Sequence, residues 1–317
     1  MTVKFGLQQP AFRERSGHAI WQNTERIAVE AERLGFDSYW LMDHFMQIPQ
    51  VDPVESPMME SYMTMAAVAA RTSRIRLGAM VTGTPYRNPA MLAKMGATID
   101  VISNGRFILG IGAGWYKQEF EAYGFVFPPV GERMARLEDA VQIIHKMWTE
   151  KKPSYEGRFY SITEPICEPP PVQNPRPPIM VGGGGEQRTL QIVARYADAW
   201  NIIGTPELIK RKMEVLERHC EKEGRDPATI EKTRLGSIIV ARNEADLTAK
   251  MERYYPDGIA EERRRDHIVG TADYCIERCA ELIDLGLDTL MFNFPDAHTL
   301  ESPQLFMEEV APALQKR

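Results

Sequence analysis

Four cysteines in 317 residues are too few for a disulfide framework. Cys275 and Cys279 stand four apart on an expected helix. With no further cysteine or close histidine they make a poor metal site, so they read as thiols in a reducing cytosol and no metal is expected. The six histidines (His18, His44, His145, His219, His267, His298) show neither HExxH nor HxH spacing, and no GxSxG or Walker A motif occurs. Those absences exclude zinc hydrolases, elbow-type serine hydrolases and P-loop enzymes. No stretch approaches the roughly 18 uninterrupted apolar residues of a membrane span. The opening Met1-Thr2-Val3-Lys4-Phe5-Gly6 reads as the start of a strand rather than a signal peptide. The 38 Lys and Arg against 44 Asp and Glu leave a net charge of −6. That balance gives no field for nucleic acid or an anionic membrane.

What is present is a regular alternation of β-rich runs and helical patterns, with 44% apolar residues to fill a large core. Strands are expected at Val3–Leu7, Ser38–Met42, Ile75–Val81, Arg106–Ile111, Pro178–Val181, Ala199–Ile203, Leu235–Val240 and Thr289–Phe292. Between them the apolar spacing predicts helices over 18–34, 89–102, 132–149, 186–196 and 302–315. Gly35 suits the left-handed cap of the first, and Asn88-Pro89 a cap followed by a first-turn proline in the second. Met58, Met59, Met63 and Met65 read as helix packing rather than a cofactor contact. Eight such units imply parallel pairing and a closed (β/α)8 TIM barrel across 1–317, an open doubly wound sheet being the alternative.

Two stretches interrupt the rhythm. Residues 151–178 are proline-rich, yet Tyr155, Phe159, Tyr160 and Ile162 give them something to bury, so an ordered insertion is expected. Residues 253–270 carry Glu261-Glu262-Arg263-Arg264-Arg265-Asp266, which reads as a solvated helix face. The alternative puts one of these arginines over the mouth of the site, meeting an anionic substrate.

In such barrels the working groups sit at the C-terminal ends of the strands. There the sequence places Asp43-His44-Phe45, Met80 to Thr84, Gly110 to Trp115, Gly182 to Gly185, and Asn201. Four glycines at the head of a helix let the backbone approach a phosphate closely and offer it N–H groups. Gly110-x-Gly112-x-Gly114 is not a dinucleotide fingerprint; it suits a flat ligand lying on backbone, with Trp115 as a stacking wall. His44 is the one histidine at a strand end. Beside Asp43, its imidazole can stabilise or shuttle a proton at a reduced ring.

These segments resemble the bacterial luciferase-like monooxygenase superfamily, and within it the members that use the deazaflavin coenzyme F420. The resemblance is carried by Tyr39 to Phe45, Arg76-Leu77-Gly78 through Tyr86-Arg87-Asn88-Pro89, Ser103 to Arg106, Leu109 to Trp115, Pro128 to Arg133 and Pro178 to Gly185. It implies a (β/α)8 barrel, commonly a homodimer, with the coenzyme in the C-terminal mouth and hydride transfer at the ring C5 to a small-molecule substrate. Carried over by position, Asp43, Met80, Val81 and Gly83 lie by the ring, with a non-proline cis peptide at Met80-Val81. Ala113, Gly114 and Gln118 line the coenzyme, and Gly183 and Gly184 hold its phosphate. His44 aligns with the catalytic histidine of the sugar-phosphate dehydrogenases in the group. Those enzymes have an acid where this chain has Trp115, which argues against sugar-phosphate oxidation and leaves His44 without an assigned partner; Glu119 is near in sequence but on the following helix, and it is not taken as that partner. An FMN-dependent monooxygenase working with a flavin reductase is the alternative on the same fold, and a non-catalytic flavin-binding barrel a further one.

Overall fold

The structure, a computed structural model, describes residues 2–13, 17–261 and 266–316. Eight parallel strands close into a barrel: β1 (Lys4–Gln9), β2 (Ser38–Leu41), β3 (Arg76–Ala79), β4 (Phe107–Gly112), β5 (Ile179–Gly182), β6 (Ala199–Ile202), β7 (Glu231–Ala241) and β8 (Thr289–Asn293). The first and last strands meet in register, Lys4 opposite Thr289 and Gln8 opposite Asn293, so no open edge remains between them. The closed barrel excludes the doubly wound alternative.

The interior shows why these sequences make these strands. The Trp40 indole points inward, and only bare backbone can sit beside it. A Cβ on Gly78 would lie 2.3 Å from that ring, and one on Gly110 would lie 2.0 Å from the Ala79 carbonyl oxygen. Met80, Ile108, Met180, Leu235 and Met291 complete a packed inner core around Trp40. A second and larger core lies between the strands and the outer helices, with Phe5, Leu7, Leu109 and Val181 fully buried in it. The barrel is therefore filled through its middle, and open space gathers at its ends.

Three departures from the sequence pattern matter for the site. The third strand ends at Ala79, the Met80-Val81 peptide that follows is cis, and pairing with β4 resumes at Thr82–Gly83. The seventh strand runs from Glu231, four residues before the expected start, since Glu231 to Arg234 also pair with β6. A strand not expected from sequence, His267–Thr271, extends that sheet beside Ser237 to Ala241. Residues 262–265, and so the arginines considered for the mouth, lie outside the described residues.

The proline-rich stretch is ordered as an antiparallel hairpin, Ser154–Glu156 with Ser161–Thr163. The carboxylate of Asp139, on helix Val130–Thr149, anchors it by accepting from the Tyr155 hydroxyl at 3.0 Å and the Phe159 amide at 2.7 Å. Met58 and Met59 pack against the core and Met65 is buried in it, but Met63 faces solvent. Among the described residues no helix is long and apolar enough to cross a membrane. None of their His, Cys, Asp and Glu side chains gather into a metal-holding group. The four cysteines are buried free thiols.

Candidate active site

One cavity of about 410 Å³ opens at the C-terminal end of the barrel, walled chiefly by strand ends and the loops that follow them. Asp43 and His44 come from β2, Met80, Val81, Gly83 and Tyr86 from β3, and Gly112 to Trp115 from β4. Gly182 to Gly184 and Thr189 follow β5, Asn201 and Ile203 close β6, and Leu235 belongs to β7. Residues up to 192 positions apart in sequence thus share one lining, from Asp43 to Leu235.

The floor is apolar and closely fitted. Val81 wedges between β4 and β5, where a Cβ on Gly112 or Gly182 would come within 2.9 or 3.0 Å of its methyl groups. The Met80 carbonyl is held by the Gln8 side-chain amide at 3.3 Å. Higher up, Trp115 and Ile203 stand about half exposed at the mouth.

Across that floor lies the glycine loop. Gly183 sits at φ 126°, a conformation closed to side-chain-bearing residues, and its N–H donates to the Asn201 carbonyl at 3.0 Å. The Gly184 and Gly185 amides find no acceptor among the described residues. The loop leads into helix Thr189–Tyr196, whose first residue lines the cavity. The Gly184 and Gly185 amides are therefore open donors of the loop, whereas the Thr189 hydroxyl beside them already donates to the Met134 sulfur at 3.8 Å. Gly183 contributes its backbone shape rather than its N–H. Glu186, just beyond, ties together Arg211 at 2.9 Å and Lys212 at 2.8 Å, and these two bonds hold its carboxyl below the usual range.

His44 has a partner that the sequence did not assign. Its Nδ1 lies 2.9 Å from Oε2 of Glu119, which is fully buried on the short helix Lys117–Ala122. The same carboxylate accepts the Phe45 amide at 2.6 Å, the Met46 amide at 3.1 Å and the Tyr86 hydroxyl. Burial alone would raise the Glu119 carboxyl; the hydrogen bonds from His44, Tyr86 and Met46 outweigh it and hold the group below its ordinary value. Burial, and then the facing carboxylate, push the Tyr86 phenol well up, so it stays protonated as a donor. The rings of Trp115 and Tyr116 stand edge-on to His44 at 5.9 and 6.0 Å.

Asp43 is locked as firmly. Arg87 donates to both of its oxygens, at 2.6 and 2.9 Å, and the Ser61 hydroxyl adds a third bond at 2.5 Å. The Arg87 guanidinium lies over the Tyr62 ring at 4.6 Å. Burial would lower its affinity for the proton, but Asp43 reverses that and keeps it charged.

Of the residues expected at the site, Asp43, His44, Met80, Val81, Gly83, Ala113, Gly114, Gly183 and Gly184 line this cavity. Gln118 does not. It faces solvent and accepts from the Tyr116 hydroxyl at 3.2 Å, because on its helix the next residue, Glu119, takes the inward position. Tyr86, Thr189, Ile203 and Leu235 line the cavity without having been expected there. Tyr86 stood inside the segment Tyr86 to Pro89, the signal by which it was findable.

The sequence profile of the luciferase-like monooxygenases matches residues 4–289, all but the two ends of the chain. The chain belongs to that family. Among luciferase-like relatives, the F420-dependent glucose-6-phosphate dehydrogenase of Microbacterium testaceum is 29% identical over 318 aligned residues, spanning 92% of this chain and 93% of that one. The phthiodiolone/phenolphthiodiolone dimycocerosates ketoreductase of Mycobacterium tuberculosis is 30% identical over 243 residues, 69% of this chain and 61% of its own length. Among solved structures, an F420-dependent secondary alcohol dehydrogenase in complex with an F420-acetone adduct superposes with a TM-score of 0.84 at 20% identity, over 99% of both chains. The last likeness establishes the luciferase-like barrel and nothing finer.

Proposed function

We propose that this chain is an F420-dependent oxidoreductase that moves hydride between the deazaflavin C5 and a small uncharged alcohol or its carbonyl partner. The observation that carries the reading is that His44, braced by a buried carboxylate, and the glycine loop line one cavity. The lining fits the coenzyme in kind: an apolar floor of Met80, Val81 and Leu235 for a flat ring, and the open amide of Gly184 for a phosphate, with that of Gly185 next along the loop. When bound, the deazaflavin supplies a hydride acceptor or donor at C5.

The chain's own residues do the remainder. In alcohol oxidation His44 would take the hydroxyl proton as the carbinol carbon gives up its hydride, so that the carbonyl product forms neutral; in the reverse direction it would return that proton. Val81 and the strand-end glycines position the ring; Trp115 and Ile203 shield the reacting carbon from water. Histidine aside, no cation lines the cavity among the described residues, so a phosphorylated sugar finds no partner there. That favours a neutral substrate even though the M. testaceum relative is named for a sugar phosphate. The working form is read as a homodimer of single-domain barrels in the cytoplasm. Helices Ser61–Ala69 and Pro89–Ser103 turn Met63, 74% exposed, and Met91, 60% exposed, to solvent together with Val101 and Ile102.

The test is a pair of titrations of the purified protein, with oxidised F420 and with FMN. Tight deazaflavin binding, and alcohol-driven reduction of it that falls at least about a hundredfold in His44→Ala, supports the reading. Tight FMN binding without deazaflavin binding overturns it in favour of the oxygenase alternative.

A further inference from the structure

We infer that Glu119 is the positioning carboxylate of the reaction: it holds His44 with Nδ1 protonated and so makes Nε2 the nitrogen that exchanges the substrate proton. The use of that proton rests on the function proposed above; the tautomer does not.

The argument is one of donors and acceptors. Backbone amides only donate, so Oε1 of Glu119, which meets the Phe45 and Met46 amides, is an acceptor. Oε2 takes the Tyr86 hydroxyl, leaving it as an acceptor for His44 as well. Four donors thus converge on two oxygens, and a proton on the carboxyl would displace one of them. The imidazole must then bring its hydrogen to Nδ1, and in the neutral ring Nε2 carries the lone pair. Other groups near the ring do not compete for this role. Asp43 is committed to Arg87 and Ser61, while Trp115 and Tyr116 present ring edges. Among the described residues Glu119 is the one acid paired with His44.

The same bonds would be explained if Glu119 merely pinned the loop at Phe45 and Met46. The two roles separate in Glu119→Gln. The loop amides demand the glutamine carbonyl on their side, which turns its NH2 toward His44. Nδ1 becomes the acceptor, the hydrogen moves to Nε2, and the ring can no longer take a proton there. A loop pin would be preserved by that swap; a tautomer lock would be inverted.

The experiment uses coenzyme-free protein labelled with 15N-histidine, with His44 assigned by comparison with His44→Asn. Two-bond nitrogen–proton spectra should show His44 as the Nδ1–H tautomer in wild type and as Nε2–H in Glu119→Gln. In turnover, Glu119→Gln should lower kcat by about 10²–10⁴-fold with KM and coenzyme affinity within about threefold of wild type, and Glu119→Asp should recover part of the loss. An Nε2–H tautomer in wild type, or a Glu119→Gln enzyme within about threefold of wild-type kcat, overturns the assignment. The wild-type spectrum decides the tautomer even if Glu119→Gln does not fold. A wild-type Nδ1–H tautomer in a protein that passes no hydride to F420 would sink the proposed function and leave the Glu119 lock standing.

Discussion

Arg87→Met tests the scaffold that holds the site. Arg87 gives Asp43 two charge-assisted bonds, at 2.6 and 2.9 Å, and Asp43 is 2% exposed. Removing one partner of a buried ion pair leaves the other charged and desolvated, at a cost of about 3–5 kcal/mol. A chain of 317 residues has an unfolding entropy near ~0.7 kcal/mol/K, so the melting temperature should drop by about 4–8 °C. The loss of the Glu60 contact adds little, because Glu60 is a third exposed. The assay is calorimetry of wild type, Arg87→Met, Asp43→Asn and the double variant at neutral pH. Asparagine needs no counter-cation, so the double variant should regain more than half of what Arg87→Met loses. A cost under about 1 kcal/mol, or simple additivity of the two changes, would refute the reasoning.

Other parts of the molecule make equally definite predictions. Gly110→Ala drives a methyl to 2.0 Å from the Ala79 carbonyl and should cost about 3 kcal/mol in denaturant unfolding; a loss under 1 kcal/mol would mean that β3 and β4 do not approach so closely. Gly184→Ala meets nothing nearer than 3.8 Å, so it should fold normally yet weaken coenzyme binding about tenfold; unchanged affinity would move the phosphate seat elsewhere. Glu32 accepts the amides of Ser73, Arg74 and Ile75 at 2.6 to 2.9 Å; burial raises its carboxyl, and these bonds bring it down to about 2. A depressed pKa stabilises above the unfolded value of 4.5 and is lost as pH falls toward 2. Glu32→Gln should thus cost about 1 kcal/mol at neutral pH, after allowing for its solvent contact, and nothing at pH 2. On the proposed homodimer, Ile102→Glu should lower the mass seen in light scattering to that of a monomer, and a dimer mass unchanged by the substitution would remove that helix from the proposed interface.

Much of the barrel was legible because buried parallel strands are short apolar runs between amphipathic helices, and all eight were placed from that signal. The failures have physical causes. The start of β7, Glu231-Lys232-Thr233-Arg234, is polar and looks like loop, yet Arg234 is buried there by its pairing on both sides. The strand His267–Thr271 follows a charge run that masks its start. At the site, strand-end residues such as His44 and Gly184 were readable by position alone. Glu119 was not, because its closeness to His44 is made by tertiary packing across 75 positions. Gln118 lies outside the cavity lining for a related reason: on a one-and-a-half-turn helix, neighbours in sequence face different ways.

The filled centre of the barrel has a kinetic corollary. Trp40, Met180 and Met291 seal the base of the vessel, so among the described residues whatever rests there must arrive first and depart last. Turnover should then follow a compulsory queue: deazaflavin, then reactant, with the oxidised or reduced organic product released before the coenzyme.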